Sequence, residues 1–248
     1  MLKKKVAVIT GGSSGIGASI AEEMMKEGAN VVISDVQDEK GEELAKSLNE
    51  KYDAKAVYQH ADVSKFDDCA ALTKRAVDEF GGLDIAVNNA GISGEQVPLA
   101  DCSLENWDKI MAVNLDSVFY CMKTQIPEMI KRGGGSIINM SSILGSVGFP
   151  NATPYVATKH AMLGMTKTTA WEYGSKNIRI NAIGPAFIKT PLLEILDQET
   201  LDFLATKHAF GRLGKPEEVA HMTVFLASEK ASFITGSYFP VDGGFLAT

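Results

Sequence analysis

The chain opens on Val6-Ala7-Val8-Ile9-Thr10, followed at once by Gly11-Gly12-Ser13-Ser14-Gly15-Ile16-Gly17 and then by a helical pattern over 18–27 closed by Gly28. A five-residue apolar run without polar alternation is the pattern of a parallel strand covered on both faces. Parallel strands need crossover connections, usually helices, so this one stretch commits the chain to a layered α/β fold. The loop between strand and helix has the character of a phosphate cradle. Gly11 and Gly15 permit a tight turn and close backbone approach, and Gly17 allows close helix–strand packing. The helix N-terminus offers N–H groups and positive potential to a pyrophosphate. The spacing is G-x-x-x-G-x-G rather than G-x-G-x-x-G, so a ligand-free glycine turn stays open at this point.

The same alternation continues to the end. Strand patterns over 30–34, 54–61, 83–87, 136–140, 178–183 and 237–241 are separated by helical patterns over 38–51, 65–80, 104–132, 154–173 and 216–228. Seven strands with helices between them, no internal repeat and no linker, predict a single doubly wound domain over 1–248 with a parallel sheet and helices on both faces. Residues 186–214 carry apolar side chains without clean periodicity and are expected to form a substrate lid, or else a peripheral helical hairpin. Thr153 is the expected N-cap of the helix beginning at Pro154, and Asp38 that of the helix over 38–51. Asn114 stands inside a helical pattern, a poor place for Asn unless its side chain or a local irregularity is used.

Composition narrows the function. With 24 basic and 31 acidic residues the net charge is −7, and the one basic cluster, Lys3-Lys4-Lys5, runs directly into the first strand, which argues against nucleic-acid binding. The N-terminal apolar run is too short for a signal-peptide core and no stretch approaches a membrane span, so a cytoplasmic protein without membrane attachment is expected. Three scattered cysteines and four isolated histidines show neither a disulfide framework nor metal-ligand spacing, so no metal is expected.

Three side chains stand out as chemistry. Tyr155 and Lys159, at i and i+4, project from one helix face a turn apart, and Ser142, just past the strand over 136–140, can reach the same point. A phenol of pKa about 10 is a poor acid–base catalyst at neutral pH. A cation about 5 Å away, at an effective dielectric near 20, favours phenolate by about 3 kcal/mol, or about two pKa units. Asp35, at the end of the second strand, can accept hydrogen bonds from ribose hydroxyls and repels a 2′-phosphate, and Ser14 leaves the loop without a cation for that phosphate. Both point to NAD(H) over NADP(H). Asp62 is placed to meet an adenine edge, to make an Asx turn or to cap the helix that follows. Asn88-Asn89-Ala90-Gly91 suits both a tight turn and a flat cofactor lying across it.

With T-G-G-S-S-G-I-G at 10–17, D-V at 62–63, N-N-A-G at 88–91, Asn114, the serine pair 141–142, Y-V-A-T-K at 155–159, N-A-I-G-P at 181–185, Ile188-Lys189-Thr190 and V-D-G-G at 241–244, the chain resembles the short-chain dehydrogenase/reductase family along essentially its whole length. The resemblance implies Tyr155 as general acid or base and Ser142 as donor to the reacting oxygen, by its 13-residue interval to the tyrosine. Lys159 would hold the nicotinamide ribose and lower the phenol pKa, and Asn114 would position a water beside Lys159. It carries over Gly11, Ser13, Ser14, Gly15, Ile16, Gly17, Asp35, Asp62, Val63, Asn89, Ala90, Gly91, Tyr155, Lys159, Pro185, Ile188 and Thr190 as cofactor contacts. It also implies a homotetramer packed through the helices near 104–132 and 153–174. Leu144, Val147, Phe149, Phe187 and Leu192 are expected to wall a pocket for a hydrophobic ketone or secondary alcohol. The expected activity is reversible hydride transfer between NAD(H) and such a substrate. The alternatives are a 3-oxoacyl-[acyl-carrier-protein] reductase and a non-catalytic dinucleotide sensor.

Overall fold

The computed structural model describes residues 1–191, 193 and 196–247. Among these, seven strands form one parallel sheet in the order β3-β2-β1-β4-β5-β6-β7: β1 (Val6–Thr10), β2 (Asn30–Asp35), β3 (Ala56–His60), β4 (Ile85–Asn88), β5 (Gly135–Met140), β6 (Ile178–Pro185) and β7 (Tyr238–Val241). The order reverses between β1 and β4, which opens a crevice at the carboxyl ends of those strands, where ligands of such sheets bind. The helices between them are α1 (Gly15–Lys26), α2 (Asp38–Lys51), α3 (Phe66–Phe80), α4 (Leu104–Met111), α5 (Ser117–Arg132), α6 (Thr153–Tyr173), α7 (Gln198–Thr206) and α8 (Pro216–Ala227). No helix among the described residues is long and apolar enough to cross a membrane.

Successive strand residues feed opposite layers, as the pleat requires. Ala7, Ile9, Val31 and Ile33 pack with Ile20 and Met24 of α1 and Val224 of α8. Val6, Val8 and Val32 pack on the other side with Leu72 and Ala76 of α3, Met122 of α5 and Met162 of α6. Double-sided burial is why the strand sequences are continuously apolar. A buried polar ladder crosses the second layer. Gln125 Nε2 donates to Asn88 Oδ1 (2.9 Å), Asn88 Nδ2 to Asn139 Oδ1 (3.0 Å) and Asn139 Nδ2 to Thr166 Oγ1 (3.0 Å). It ties α5 and α6 to the ends of β4 and β5 and so fixes the helix that carries Tyr155 and Lys159.

Local expectations need correction in four places. Helix α1 begins at Gly15, so Gly17 lies in its first turn. Residue Thr153 is helical, and the residue before α6 is Ala152, which makes no side-chain cap. Helix α2 is preceded by Gln37, and Asp38 instead accepts from the Tyr58 hydroxyl and pairs with His60. The long helical pattern over 104–132 is two helices joined by a π-helical turn, Ala112–Asp116, with Asn114 at its centre. That turn is the local irregularity an Asn mid-helix calls for.

Candidate active site

The glycine loop is shaped by contacts that leave no room for side chains. A Cβ on Gly17 would lie 2.0 Å from the Gly11 carbonyl oxygen, and one on Gly11, where φ is +61°, would lie 2.9 Å from the Ala90 Cα. What Gly17 accommodates is therefore the loop itself rather than a strand. Asn89 welds the loop to β4, donating from Nδ2 to the carbonyls of Thr10 (2.9 Å) and Gly11 (3.0 Å). Thr10 Oγ1 accepts from the backbone N–H groups of both Asn89 and Ala90. Thr10 is a positioning residue that the sequence reading left without a role. A polar residue ending an apolar strand was the available signal.

Around this loop the carried-over positions gather. Asp35 is buried, its Oδ2 accepting from Ser13 N (3.2 Å) and its Oδ1 from Val36 N (2.8 Å). A Cβ on Gly15 would meet Thr190 at 3.3 Å, so the start of segment 186–214 lies over the cradle. Ile188 is buried and bridges to Gly214, and Pro185 pairs with Val241. Val63 packs with Ala90 against Cys69 and Cys121. Asp62 makes the Asx turn: its Oδ1 accepts from Ser64 N (3.1 Å) and Oγ (2.6 Å), and the Ser64 hydroxyl holds its carboxyl below the usual range. The cradle fits a dinucleotide pyrophosphate. Ser14 provides no side-chain cap to α1, and no acidic residue stands in its first turn, whereas α2, α3 and α8 each carry two acids there. Among the described residues the first-turn N–H groups and their dipole are thus free for an anion. The Ser13 hydroxyl is buried with no hydrogen-bond partner among the described residues, a donor waiting for an acceptor.

Across the crevice, Ser142, Tyr155 and Lys159 converge. Ser142 follows β5 in extended conformation. Its Oγ accepts from Leu144 N (3.1 Å), which leaves the hydroxyl proton to donate, and its carbonyl accepts from the Tyr238 hydroxyl (2.9 Å). The neighbouring Ser141 donates to the Lys159 carbonyl (3.1 Å), so the two serines are separated by what they bond. Lys159 is buried, its Nζ donates to the Met140 carbonyl (2.8 Å) and lies 5.4 Å from the Tyr155 ring centroid. Burial lowers the Lys159 pKa to about 8. The expected lowering of the Tyr155 phenol is not met: burial raises it, and only the hydrogen bond from Ser142 opposes that. The lysine faces the ring and bonds a carbonyl, so its charge does not offset the desolvation of phenolate. Asn114 is wholly buried, its amide exchanging two 2.8 Å hydrogen bonds with the Ile92 backbone. A Cβ on Gly91 would fall 3.3 Å from Asn114 Oδ1 and 3.7 Å from Lys159 Nζ, so these three meet.

Of the expected pocket walls, Phe149 and Phe187 meet edge to face at 6.4 Å, and Leu144 stands on the turn that Ser142 caps. Val147 is partly buried in the same loop, and Leu192 lies outside the described residues. Tyr238 and His208 were missed. Tyr238 reaches Ser142 over 96 residues, a separation no local pattern reports. A cavity of ≈ 100 Å³ lies beside this region, bordered by Ala186, Ile188, His208, Arg212 and Asp242 but not by the Ser142-Tyr155-Lys159 group.

Residues 11–246 match a family model described as enoyl-(acyl carrier protein) reductase. Cyclohexanol dehydrogenase of Acinetobacter sp. (strain SE19) is 42% identical over 241 residues, covering 97% of this chain and 94% of that protein. A 2,5-dichloro-2,5-cyclohexadiene-1,4-diol dehydrogenase of Sphingobium indicum is 41% identical over 250 residues, covering 99% and 98%. The crystal structure of levodione reductase superposes with a TM-score of 0.97 at 33% identity, covering 100% of both chains. With the glycine cradle, the switch in strand order and the Ser142-Tyr155-Lys159 group on one side of the sheet, the chain belongs to the short-chain dehydrogenase/reductase family, as an oxidoreductase of the alcohol and carbonyl type.

Proposed function

We propose that the protein interconverts a secondary alcohol on a hydrophobic six-membered ring and the corresponding ketone, using NAD(H). The observation that carries this is the meeting of Tyr155 with the buried Ser142 and Lys159 across the crevice from the glycine loop. NAD(H), when bound, supplies or accepts the hydride. Its pyrophosphate would be held by the loop 11–17, its adenosine ribose by Asp35 and its nicotinamide ribose by Lys159 and Tyr155, with Pro185, Ile188 and Thr190 closing over it. In reduction, the carbonyl oxygen accepts hydrogen bonds from Ser142 and Tyr155, and as hydride arrives at carbon the phenol proton passes to oxygen. In oxidation both transfers reverse, with phenolate as base. A phenol kept protonated by burial is ready to donate at neutral pH, so reduction should run there and oxidation should rise with pH.

The relatives that act on cyclohexanol and on a cyclohexadiene diol support the ring class. Aromatic walls at Phe149 and Phe187 support an apolar substrate. Preference for NAD(H) is supported by the buried Asp35 carboxylate beside Ser13. Large exposed apolar residues on α4, α5 and α6, namely Leu104, Phe119 and Trp171, support a homotetramer, and we place it in the cytoplasm. Segment 186–214 is read as the substrate lid. A 3-oxoacyl-[acyl-carrier-protein] reductase of Thermotoga maritima, 39% identical over 243 residues, keeps a carrier-bound 3-oxoacyl chain as the rival substrate.

The test is absorbance of reduced nicotinamide with NADH and NADPH side by side against cyclohexanone, aryl ketones, a β-keto ester and a 3-oxoacyl carrier. NADH-dependent reduction of the ring ketone is expected to exceed that of the acyl carrier. Preference for the carrier with NADPH would reverse both assignments.

A further inference from the structure

His208 lies just past α7, inside segment 186–214, and is only 5% exposed. Neither of its ring nitrogens has a hydrogen-bond partner among the described residues. A buried imidazole always carries at least one N–H donor and, when neutral, one acceptor, and leaving both unsatisfied is costly. Its surroundings offer no relief. The ring meets Phe187 edge to face at 5.9 Å and 89°, and Phe245 at 6.1 Å. Phe187 in turn meets Phe149, which sits on the loop running from Ser142 to the helix that carries Tyr155. The imidazole is thus the polar member of an aromatic cluster that joins segment 186–214 to the loop between Ser142 and α6. A polar group set among aromatic walls selects ligands that carry a matching group.

We infer that His208 is a specificity-determining residue whose imidazole hydrogen-bonds a second oxygen on the ring substrate, remote from the carbon that exchanges hydride. This rests on the ring alcohol and ketone reading above. Because imidazole both donates and accepts, either a second keto group or a second hydroxyl satisfies it, so the substrate class is narrowed to rings oxygenated at two positions. The competing account is that water in the ≈ 100 Å³ cavity, which His208 also borders, occupies the nitrogens from the other side.

Two measurements decide between them. In the NAD(H)-loaded protein, affinities for cyclohexane-1,4-dione and cyclohexanone are compared by ligand titration, and kcat/KM for both is compared by nicotinamide absorbance. The wild type is expected to favour the dione by about tenfold. His208→Phe keeps the aromatic wall and should erase that preference while changing cyclohexanone by less than about twofold, and His208→Gln should restore part of it. A thermal midpoint for each variant separates loss of selectivity from loss of fold. No dione preference in the wild type, equal losses for both ketones, or a preference intact in His208→Phe overturns the inference. Selective binding without turnover of either ketone would break the catalytic reading and leave this one standing.

Discussion

Around Thr10, Gly11 and Asn89 the polar groups at the mouth of the cradle bond to one another, whereas around Tyr155, Lys159 and His208 they are buried with few partners or none. The first region is held together by the chain's own backbone and leaves the Ser13 hydroxyl and the first-turn N–H groups of α1 to a ligand. The second keeps a phenol and an amine out of water, raising one pKa and lowering the other, and places an imidazole among phenyl rings. Contacts made within the chain stabilise the fold, while polar groups left short of partners raise its energy until a ligand meets them. Replacements in the cradle should therefore damage stability and cofactor binding together, and replacements across the crevice should damage turnover while sparing or even helping stability.

The largest expected effect lies on the substrate side. Tyr155→Phe removes the proton donor and leaves the ring in place, so kcat for ketone reduction should fall about 10³-fold. NADH affinity, read by fluorescence titration, should change by less than about threefold. A variant that retains a tenth of wild-type turnover would take Tyr155 out of the proton transfer and blur the contrast between the two regions.

Gly17→Ala tests the other side. Its new Cβ would overlap the Gly11 carbonyl oxygen and crowd Asn89, and neither can move without opening the cradle. Overpacking of this kind should destabilise the protein by about 3 kcal/mol. Denaturant midpoints and NADH titration should fall together. An unchanged midpoint with lost NADH binding would show that the loop is compliant and only the ligand contact was harmed.

How much of this was legible in the sequence follows the same division. The strands, their order of appearance and the cradle could be read because they rest on local periodicity and on glycines close in sequence. Tyr155 and Lys159 could be paired because helix geometry fixes i and i+4. Asn114 was flagged as an anomaly and proved to be the centre of the π-helical turn. The caps expected at Thr153 and Asp38 failed because capping is decided by the preceding residue's backbone angles, and the Asp38 side chain found Tyr58 and His60 instead. Tyr238 holding Ser142, and His208 against Phe187, join parts of the chain far apart in sequence, where composition carries no signal. The sign of the Tyr155 shift was misjudged because a pairwise charge estimate omits the cost of burying the phenolate.

Lys159→Met sharpens the comparison through pH. The folded lysine has a pKa of about 8 against an ordinary 10.5, so between these values the unfolded chain binds more protons than the folded one. Stability from this group therefore rises with pH over that window, and at neutral pH the buried charge is a net cost. Removing it should abolish turnover, yet stabilise the cofactor-free protein near pH 7 by about 2 kcal/mol, less the lost bond to Met140. The difference between variant and wild type in urea midpoints should shrink from pH 7.5 to 10. A difference that stays flat across that range would mean the amine is hydrated and the site wetter than its burial implies.

The smallest effect is expected where segment 186–214 meets α8. Arg212 pairs with both carboxylate oxygens of Glu218, and that carboxylate also accepts from the Lys215 backbone N–H (2.7 Å), which together hold its pKa at about 2. The sign is that of a paired acid: its contribution is present above the ordinary carboxylate pKa and fades as pH falls toward 2. Both side chains are more than a third exposed, so water screens most of the interaction. Arg212→Ala should shift the thermal midpoint by no more than about 2 °C and leave NADH affinity unchanged. Loosening the end of segment 186–214, proposed above as the lid, should instead raise KM for the ring ketone about two- to fivefold. If the midpoint drops as it does for Gly17→Ala, the segment is part of the finished scaffold rather than of the ligand-completed side, and the boundary between the two regions has to be moved to α8.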